Sequence, residues 1–296
     1  MTEVVFVCDE GAGVGLGHRR RCEAVAYELA LLGIDSVIVP SMQGIVAAPV
    51  VVVDSYRARA DDRRWIVPDH VVAIDDLDRD LAVDIVVLPA PAAICARHSK
   101  AKVVLAGASY SLVDPMLRAL DVSQDFEAAG RSARVVVTMG AADHEGVGQI
   151  IARRCAERCP DAAVQLVVGP WGDQSTPPGV QPVWCDVGLG DLLAQADVVV
   201  TAAGVTLLES LTLGRPTIAV ATAANQVANI DAVRAAGAAW AESAVSACDA
   251  VAALLADPAA RSRLSQRGRA LIDGRGAQRV AASVAKLCTT RSAVGT

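Results

Sequence analysis

The feature that most constrains this chain is a series of short, unbroken apolar runs, each ending on an acid or a small residue. Val4-Val5-Phe6-Val7-Cys8 gives way to Asp9, Val50-Val51-Val52-Val53 to Asp54-Ser55-Tyr56, and Val71-Val72-Ala73-Ile74 to Asp75-Asp76. Runs this short, without polar alternation, read as strands buried on both faces, the pattern of a parallel sheet whose carboxyl ends open onto a ligand crevice. Residues 36–40, 85–88 and 103–105 continue the series in the first half of the chain. Residues 134–138, 164–168, 198–200 and 217–220 restart it in the second. Helical spacing follows several of these runs, at residues 23–32, 147–158, 206–213 and 225–236, so the chain reads as α/β.

With 296 residues and a 53% hydrophobic composition, the chain has material for two cores. Weak periodicity between Gly107 and Arg131 marks a link, giving domains 1–131 and 132–296. A last helix near 278–287 is positioned to pack back on the first domain. Two Rossmann-like domains facing across a cleft are the expectation.

The net charge of -6 comes with no long basic run, which argues against nucleic acid as the main partner. Arg19-Arg20-Arg21 is the one notable basic cluster, and at least two of the three read as a solvated helix face. The eight cysteines include no CxxC pair, so they read as small hydrophobes in a reducing cytoplasm rather than as a zinc site. No run reaches the ~18 to 20 apolar residues of a spanning helix, and a soluble protein without membrane partners is expected.

Asp9-Glu10-Gly11-Ala12-Gly13-Val14-Gly15-Leu16-Gly17-His18 joins the first strand to the first helix. Glycines there let a ligand approach the backbone, and the helix start beyond them presents N–H groups to an anion. A dinucleotide site is disfavoured, because His18 stands at the helix start and Pro40-Ser41, rather than an acid, follows the second strand. A histidine in that place suits a general base, a role that supplies about 10²- to 10⁴-fold of rate; the plainer alternative is a helix cap. His70, His98 and His144 lack partners at ligand spacing and read as surface or loop residues. Ala203-Gly204-Val205-Thr206 also opens a helix, where Gly204 and Thr206 suit a phosphate and Glu209, read as lying on the first turn, suits a ribose.

These elements together resemble the UDP-sugar hydrolases of pseudaminic acid biosynthesis and the related spore-coat polysaccharide proteins. The likeness to the peptidoglycan N-acetylglucosaminyl transferase is more distant. The matching residues are Asp9, Gly15-Leu16-Gly17-His18 through Cys22, Val53-Asp54-Ser55-Tyr56, Ile74-Asp75-Asp76-Leu77 and Gly107-Ala108-Ser109-Tyr110. They continue with Thr138-Met139-Gly140-Ala141-Ala142-Asp143, Ala202-Ala203-Gly204, Glu209, Leu213-Gly214-Arg215-Pro216 and Asn225-Gln226.

The resemblance implies the GT-B fold, with His18 as general base beside Asp9. It further implies that Gly15, Gly17, Gly140, Gly204, Val205, Thr206, Glu209, Asn225 and Gln226 surround a UDP sugar, and that Asp54, Tyr56, Asp76 and Tyr110 line the acceptor and sugar side. The chain departs from the hydrolase pattern at Val7, Pro89-Ala90-Pro91, Asp114, Val205 and Ala224. Those departures fall where the sugar is read, which favours an inverting transferase acting on a small soluble hydroxyl or ring-nitrogen acceptor. A hydrolase with water as acceptor is the alternative, and a non-catalytic sugar-nucleotide binding protein the third class. No metal or other cofactor is expected, and oligomeric state is left open.

Overall fold

The computed structural model describes residues 3–40, 48–62, 68–92, 97–122, 131–143, 145–184, 189–223 and 226–289. The chain forms two compact units, Met1–Glu10 with Leu16–Pro115 and Gly274–Thr296, and Gly11–Gly15 with Met116–Asp273.

The first unit carries strands β1 (Val4–Cys8), β2 (Ser36–Pro40), β3 (Val50–Asp54), β4 (His70–Ile74), β5 (Ile85–Leu88) and β6 (Val103–Ala106), all parallel, in the order β2-β1-β3-β4-β5-β6. Phe6, Val52, Val72 and Val87 pack with Cys22, Val25 and Leu29 of helix α1 (Gly17–Leu31) and with Ala277, Val280 and Val284 of helix α8 (Gly276–Thr289). The alternate residues Val7, Val51, Val53, Ala73 and Val86 form a second cluster with Ala60, Leu81 and Val83. Apolar cover on both faces is why Val50–Asp54 is buried at every position. Each such valine contributes roughly 1.5–3 kcal/mol.

The second unit carries β7 (Arg134–Thr138), α2 (Val147–Arg158), β8 (Ala163–Val168), β9 (Gln181–Trp184), α3 (Gly190–Ala194) and β10 (Val198–Ala202). It continues with α4 (Val205–Thr212), β11 (Thr217–Val220), α5 (Val227–Ala235), β12 (Trp240–Glu242), α6 (Ala247–Ala256) and α7 (Pro258–Leu271). Its strands are parallel in the order β12-β11-β10-β7-β8-β9. That is the doubly wound order of a dinucleotide-binding sheet, with the reversal between β7 and β10. In the first unit the reversal lies between β1 and β3. Ligands bind such sheets outside the carboxyl ends of the strands at the reversal. The turns after β1, β3, β7 and β10 therefore lie where a ligand would meet each sheet.

Two differences from the sequence expectations, the boundary between the units and two unannounced strands, have physical causes. The first unit ends at Pro115 rather than at 131, because Leu117 is buried with its side chain against Gly190 of the second unit. The last helix starts at Gly276 and belongs to the first unit. Strands β9 and β12 had no apolar run to announce them, since both are short sheet edges whose residues stay partly exposed. Among the described residues no helix is long and apolar enough to cross a membrane.

Helix α8 can reach the turn at Ser111 only because its first residue lacks a side chain: a Cβ on Gly276 would stand 2.1 Å from the Ser111 carbonyl oxygen. Gly276→Ala is expected to destabilise the protein by about 1–3 kcal/mol through this overpacking, read as a lower urea midpoint. Gly13→Ala, where nothing lies within 4 Å of the new Cβ, is the control and should leave the midpoint in place.

Candidate active site

In the loop after β1, the Val14 and Gly15 N–H groups donate to the Gly11 carbonyl at 3.1 and 2.7 Å. This closes a tight ring whose Gly11 and Gly15 have φ of +123° and +76°, a backbone that favours glycine. Gly17 is the first residue of α1 and His18 the second, with no side chain capping the helix start. The loop thus delivers the imidazole to the carboxyl edge of the first sheet.

Asp54, the last residue of β3, meets it there. His18 Nδ1 lies 2.5 Å from Asp54 Oδ1, and both residues are buried. Arg21, one turn further along α1, donates from Nε to Asp54 Oδ2 at 2.9 Å and from Nη2 to Oδ1 at 2.7 Å. Its Nη1 donates to Asp76 Oδ2 at 2.9 Å, an oxygen that also accepts the Tyr56 hydroxyl at 3.1 Å. The Tyr56 ring stands edge-on to the imidazole with centroids 4.3 Å apart.

The network assigns the tautomer. A guanidinium fork occupies both Asp54 oxygens as acceptors, so His18 Nδ1 must donate to Oδ1. Arg21 Nη2 also stands 2.8 Å from Nδ1, a contact that calls for a bare Nδ1; the shorter, charge-assisted contact to the Asp54 carboxylate outweighs it. With Nδ1 protonated, the lone pair is on Nε2, which makes no hydrogen bond among the described residues. An imidazole so held by a carboxylate is arranged as a general base.

Charge is concentrated here. Burial alone would lower the Arg21 guanidinium, but Asp54 and Asp76 outweigh it and raise it above its ordinary value. Burial works against the Asp76 carboxylate as well, yet Arg21 holds it below the usual carboxylate range. The Tyr56 phenol is pushed up by burial and by Asp76, so it stays a hydrogen-bond donor at neutral pH.

The other first-unit candidates sit differently. Asp9 Oδ2 accepts the backbone N–H groups of Tyr56 and Arg57 at 2.8 and 3.4 Å, so Asp9 braces the turn that presents Tyr56. Tyr110, in a one-turn 3-10 helix (Ala108–Tyr110), packs partly buried against the α1/α8 core and joins no hydrogen bond of the His18 cluster. Arg21 is the residue the sequence reading passed over. Its signal was the i, i+3 spacing from His18, which puts both on one helix face.

In the second unit, Gly140 (φ +92°) ends the turn after β7. There the Asp143 carboxylate accepts the Val147 and Gly148 N–H groups at 3.0 and 2.7 Å, so a protein anion already occupies the start of α2. The start of α4 after β10 is different. Gly204 is its exposed N-cap with no side-chain cap, and a Cβ there would meet nothing within 4 Å. The Val205 and Thr206 N–H groups at the first two helical positions have no acceptor within the helix. An uncapped helix start at a sheet reversal is a place for a phosphate.

Glu209 is the fifth residue of α4, in the second turn rather than the first, and is buried. Gln226 Oε1 accepts the Thr222 N–H at 2.9 Å and the Thr222 hydroxyl at 3.1 Å, folding the turn after β11; Asn225 lies outside the described residues. Arg215 donates from Nη1 to the Ala194 and Ala196 carbonyls at 3.3 and 3.1 Å. Burial, reinforced by Arg269, pushes its pKa down to about 10. It ties α3 to the sheet. Among the described residues no group of three or more His, Cys, Asp or Glu is placed to hold a metal ion.

The Asp76 shift gives a testable pH dependence. A carboxylate held below its unfolded value of about 3.9 contributes stability that is present above that value and lost as pH falls through the folded one. The stability advantage of the wild type over Asp76→Asn is expected to be constant from pH 7 to about 5 and to shrink below about 4. Urea midpoints measured across that range check it.

No protein-family model matches the sequence, and no curated protein matches it. The fold does match solved structures. The chain is similar to the glycotransferase of kitacinnamycin, at 18% identity and a TM-score of 0.66 over 96% of this chain and 98% of that one. It is similar to Acinetobacter baumannii MurG, at 15% identity and a TM-score of 0.61 over 97% and 100%. It is also similar to the glycosyltransferase SnogD from Streptomyces nogalater, at 19% identity and a TM-score of 0.59 over 97% and 99%. These structures do not single out the hydrolase or spore-coat family. With its two parallel six-stranded sheets and interleaved helices, the chain has the two-Rossmann-domain GT-B fold.

Proposed function

We propose that the protein is an inverting glycosyltransferase that takes its sugar from a UDP sugar and passes it to a small, non-lipid acceptor. The observation that carries this reading is the His18–Asp54 pair, with Nδ1 committed to Asp54 and the lone pair of Nε2 left for a substrate. The uncapped start of α4 and the likeness to structures named as glycosyltransferases support it.

In this reading Nε2 accepts the proton of the acceptor O–H or N–H as that atom attacks the anomeric carbon. The bond from that carbon to the β-phosphate oxygen breaks, and UDP leaves with the electron pair. Asp54 orients the imidazole and stabilises the imidazolium that forms. The Val205 and Thr206 N–H groups receive the charge growing on the diphosphate, so the chemistry calls on no metal. The resemblance at Gly15–Cys22 favours a second reading, with water in place of the acceptor and hydrolysis as the outcome. A reducing, cytoplasmic setting belongs to this reading.

The test is release of UDP from a panel of UDP sugars, with and without an acceptor pool. Release only with acceptor marks a transferase, and release without it a hydrolase; turnover of none by the wild type refutes both. His18→Ala and Asp54→Asn are each expected to lower the rate by about 10²- to 10⁴-fold. Gly204→Val places a side chain in open space, at a stability change of under about 1 kcal/mol. It is expected to lower kcat/KM for the UDP sugar about 10-fold or more, with kcat falling as well, because the charge on the diphosphate grows toward the transition state. An unchanged kcat/KM would remove α4 from the phosphate site.

A further inference from the structure

We infer that Arg21 is the positioning residue of the proposed base: it holds the His18 imidazole in its Nδ1–H tautomer and in its plane, acting from two sides through two different carboxylates. The inference rests on the proposed function for its catalytic consequence, but the geometry that motivates it is independent of any substrate.

On the first side, Arg21 Nε and Nη2 grip Asp54 at 2.9 and 2.7 Å, so the carboxylate cannot rotate about its Cβ–Cγ bond. Asp54 Oδ1 is then fixed 2.5 Å from Nδ1. On the second side, Nη1 grips Asp76 Oδ2 at 2.9 Å. That same oxygen accepts the Tyr56 hydroxyl at 3.1 Å, and the Tyr56 ring stands at 86° to the imidazole, 4.3 Å away between centroids. One guanidinium thereby fixes both the atom that orients Nδ1 and the ring that packs on the imidazole. Neither carboxylate does this alone, since Asp54 does not reach Tyr56 and Asp76 does not reach Nδ1 in the bonds the structure forms.

A second consequence is electrostatic. Asp54 and Asp76 both pair with this one guanidinium, so without Arg21 both carboxylates would lose their cation. Arg21 has to be an arginine to serve both, because a lysine ammonium is a single point charge that cannot fork onto one carboxylate while reaching a second.

The experiment reads the imidazole directly. In protein carrying ¹⁵N-labelled histidine, His18 is identified by the signals lost in His18→Ala, and the two-bond ¹⁵N–¹H pattern reports its tautomer. The wild type is expected to show the Nδ1–H form alone. Arg21→Met is expected to show both tautomers in exchange. Because Arg21→Met leaves the buried Asp54 carboxylate and the half-buried Asp76 carboxylate without this cation and can fail to fold, Arg21→Lys is measured as well, with the same expectation of mixed tautomers in a folded chain.

Turnover of a UDP sugar is then measured in a cycle with Asp54→Asn. Arg21→Lys alone is expected to lower kcat about 10²-fold, the scale of a misplaced catalytic group. Added to Asp54→Asn it should lower it little further, since the two act as a unit. An unchanged Nδ1–H tautomer in the folded Arg21→Lys protein overturns the inference, as do strictly additive losses in the cycle. Mixed tautomers in a protein whose wild type turns over no UDP sugar would leave the positioning role standing and overturn the proposed reaction instead.

Discussion

A buried arginine between two aspartates governs the first unit. An isolated charge taken from water costs several kcal/mol even after relaxation, and it persists inside a protein only when opposite charges and hydrogen bonds surround it. Arg21 meets that condition with three N–H groups donating to Asp54 and Asp76. The partners come from the ends of β3 and the turn after β4, and the arginine from α1, so three elements are tied at the carboxyl edge of the sheet. A pair of this kind is weak evidence of stability, since an apolar trio of the same volume would serve as well. What apolar residues could not do is orient a histidine, and that is where the polar cluster is placed.

The two units solve different problems with the same architecture. Each sheet reverses its winding at one point, between β1 and β3 or between β7 and β10. At the first reversal the structure collects side chains: His18, Asp54, Tyr56 and the brace Asp9. At the second it offers backbone. The contrast between α2 and α4 is decisive there, because Asp143 fills the start of α2 while nothing on the side-chain level caps α4. A helix start that leaves its N–H groups to solvent forgoes about 1 kcal/mol of capping, a loss that is intelligible where a ligand anion supplies the cap.

Most of the fold was legible because parallel strands buried on both faces must be apolar at every position. Val50 to Val53 could hardly be anything else. The strands that escaped notice, β9 and β12, are edges, where half the positions face water and no such run is required. The site was legible in parts. His18 announced itself by standing at a helix start after a glycine-rich turn, and Asp54 and Asp76 by closing apolar runs. Arg21 was hidden inside Arg19-Arg20-Arg21, where composition cannot separate a buried charge from its partly exposed neighbours; Arg19 does pair with Glu23 at the surface. Tyr110 and Glu209 show the converse: one packs at the core edge, and the other lies a turn deeper in its helix than its spacing from Gly204 suggested.

By itself, then, the sequence determined the elements and their order, because local periodicity and turn chemistry depend only on near neighbours along the chain. It also determined which residues end up at the carboxyl edges of the sheets, since strand and turn follow one another in sequence. Only the tertiary structure decided the partnerships: Asp54 with His18 across 36 residues, Asp76 with Arg21 across 55, and α8 with α1 from the far end of the chain. Those depend on strand order and on which face each helix covers. The same long-range placement sets the tautomer of His18, for a proton on a ring nitrogen is fixed by its acceptor, and that acceptor is supplied by another strand.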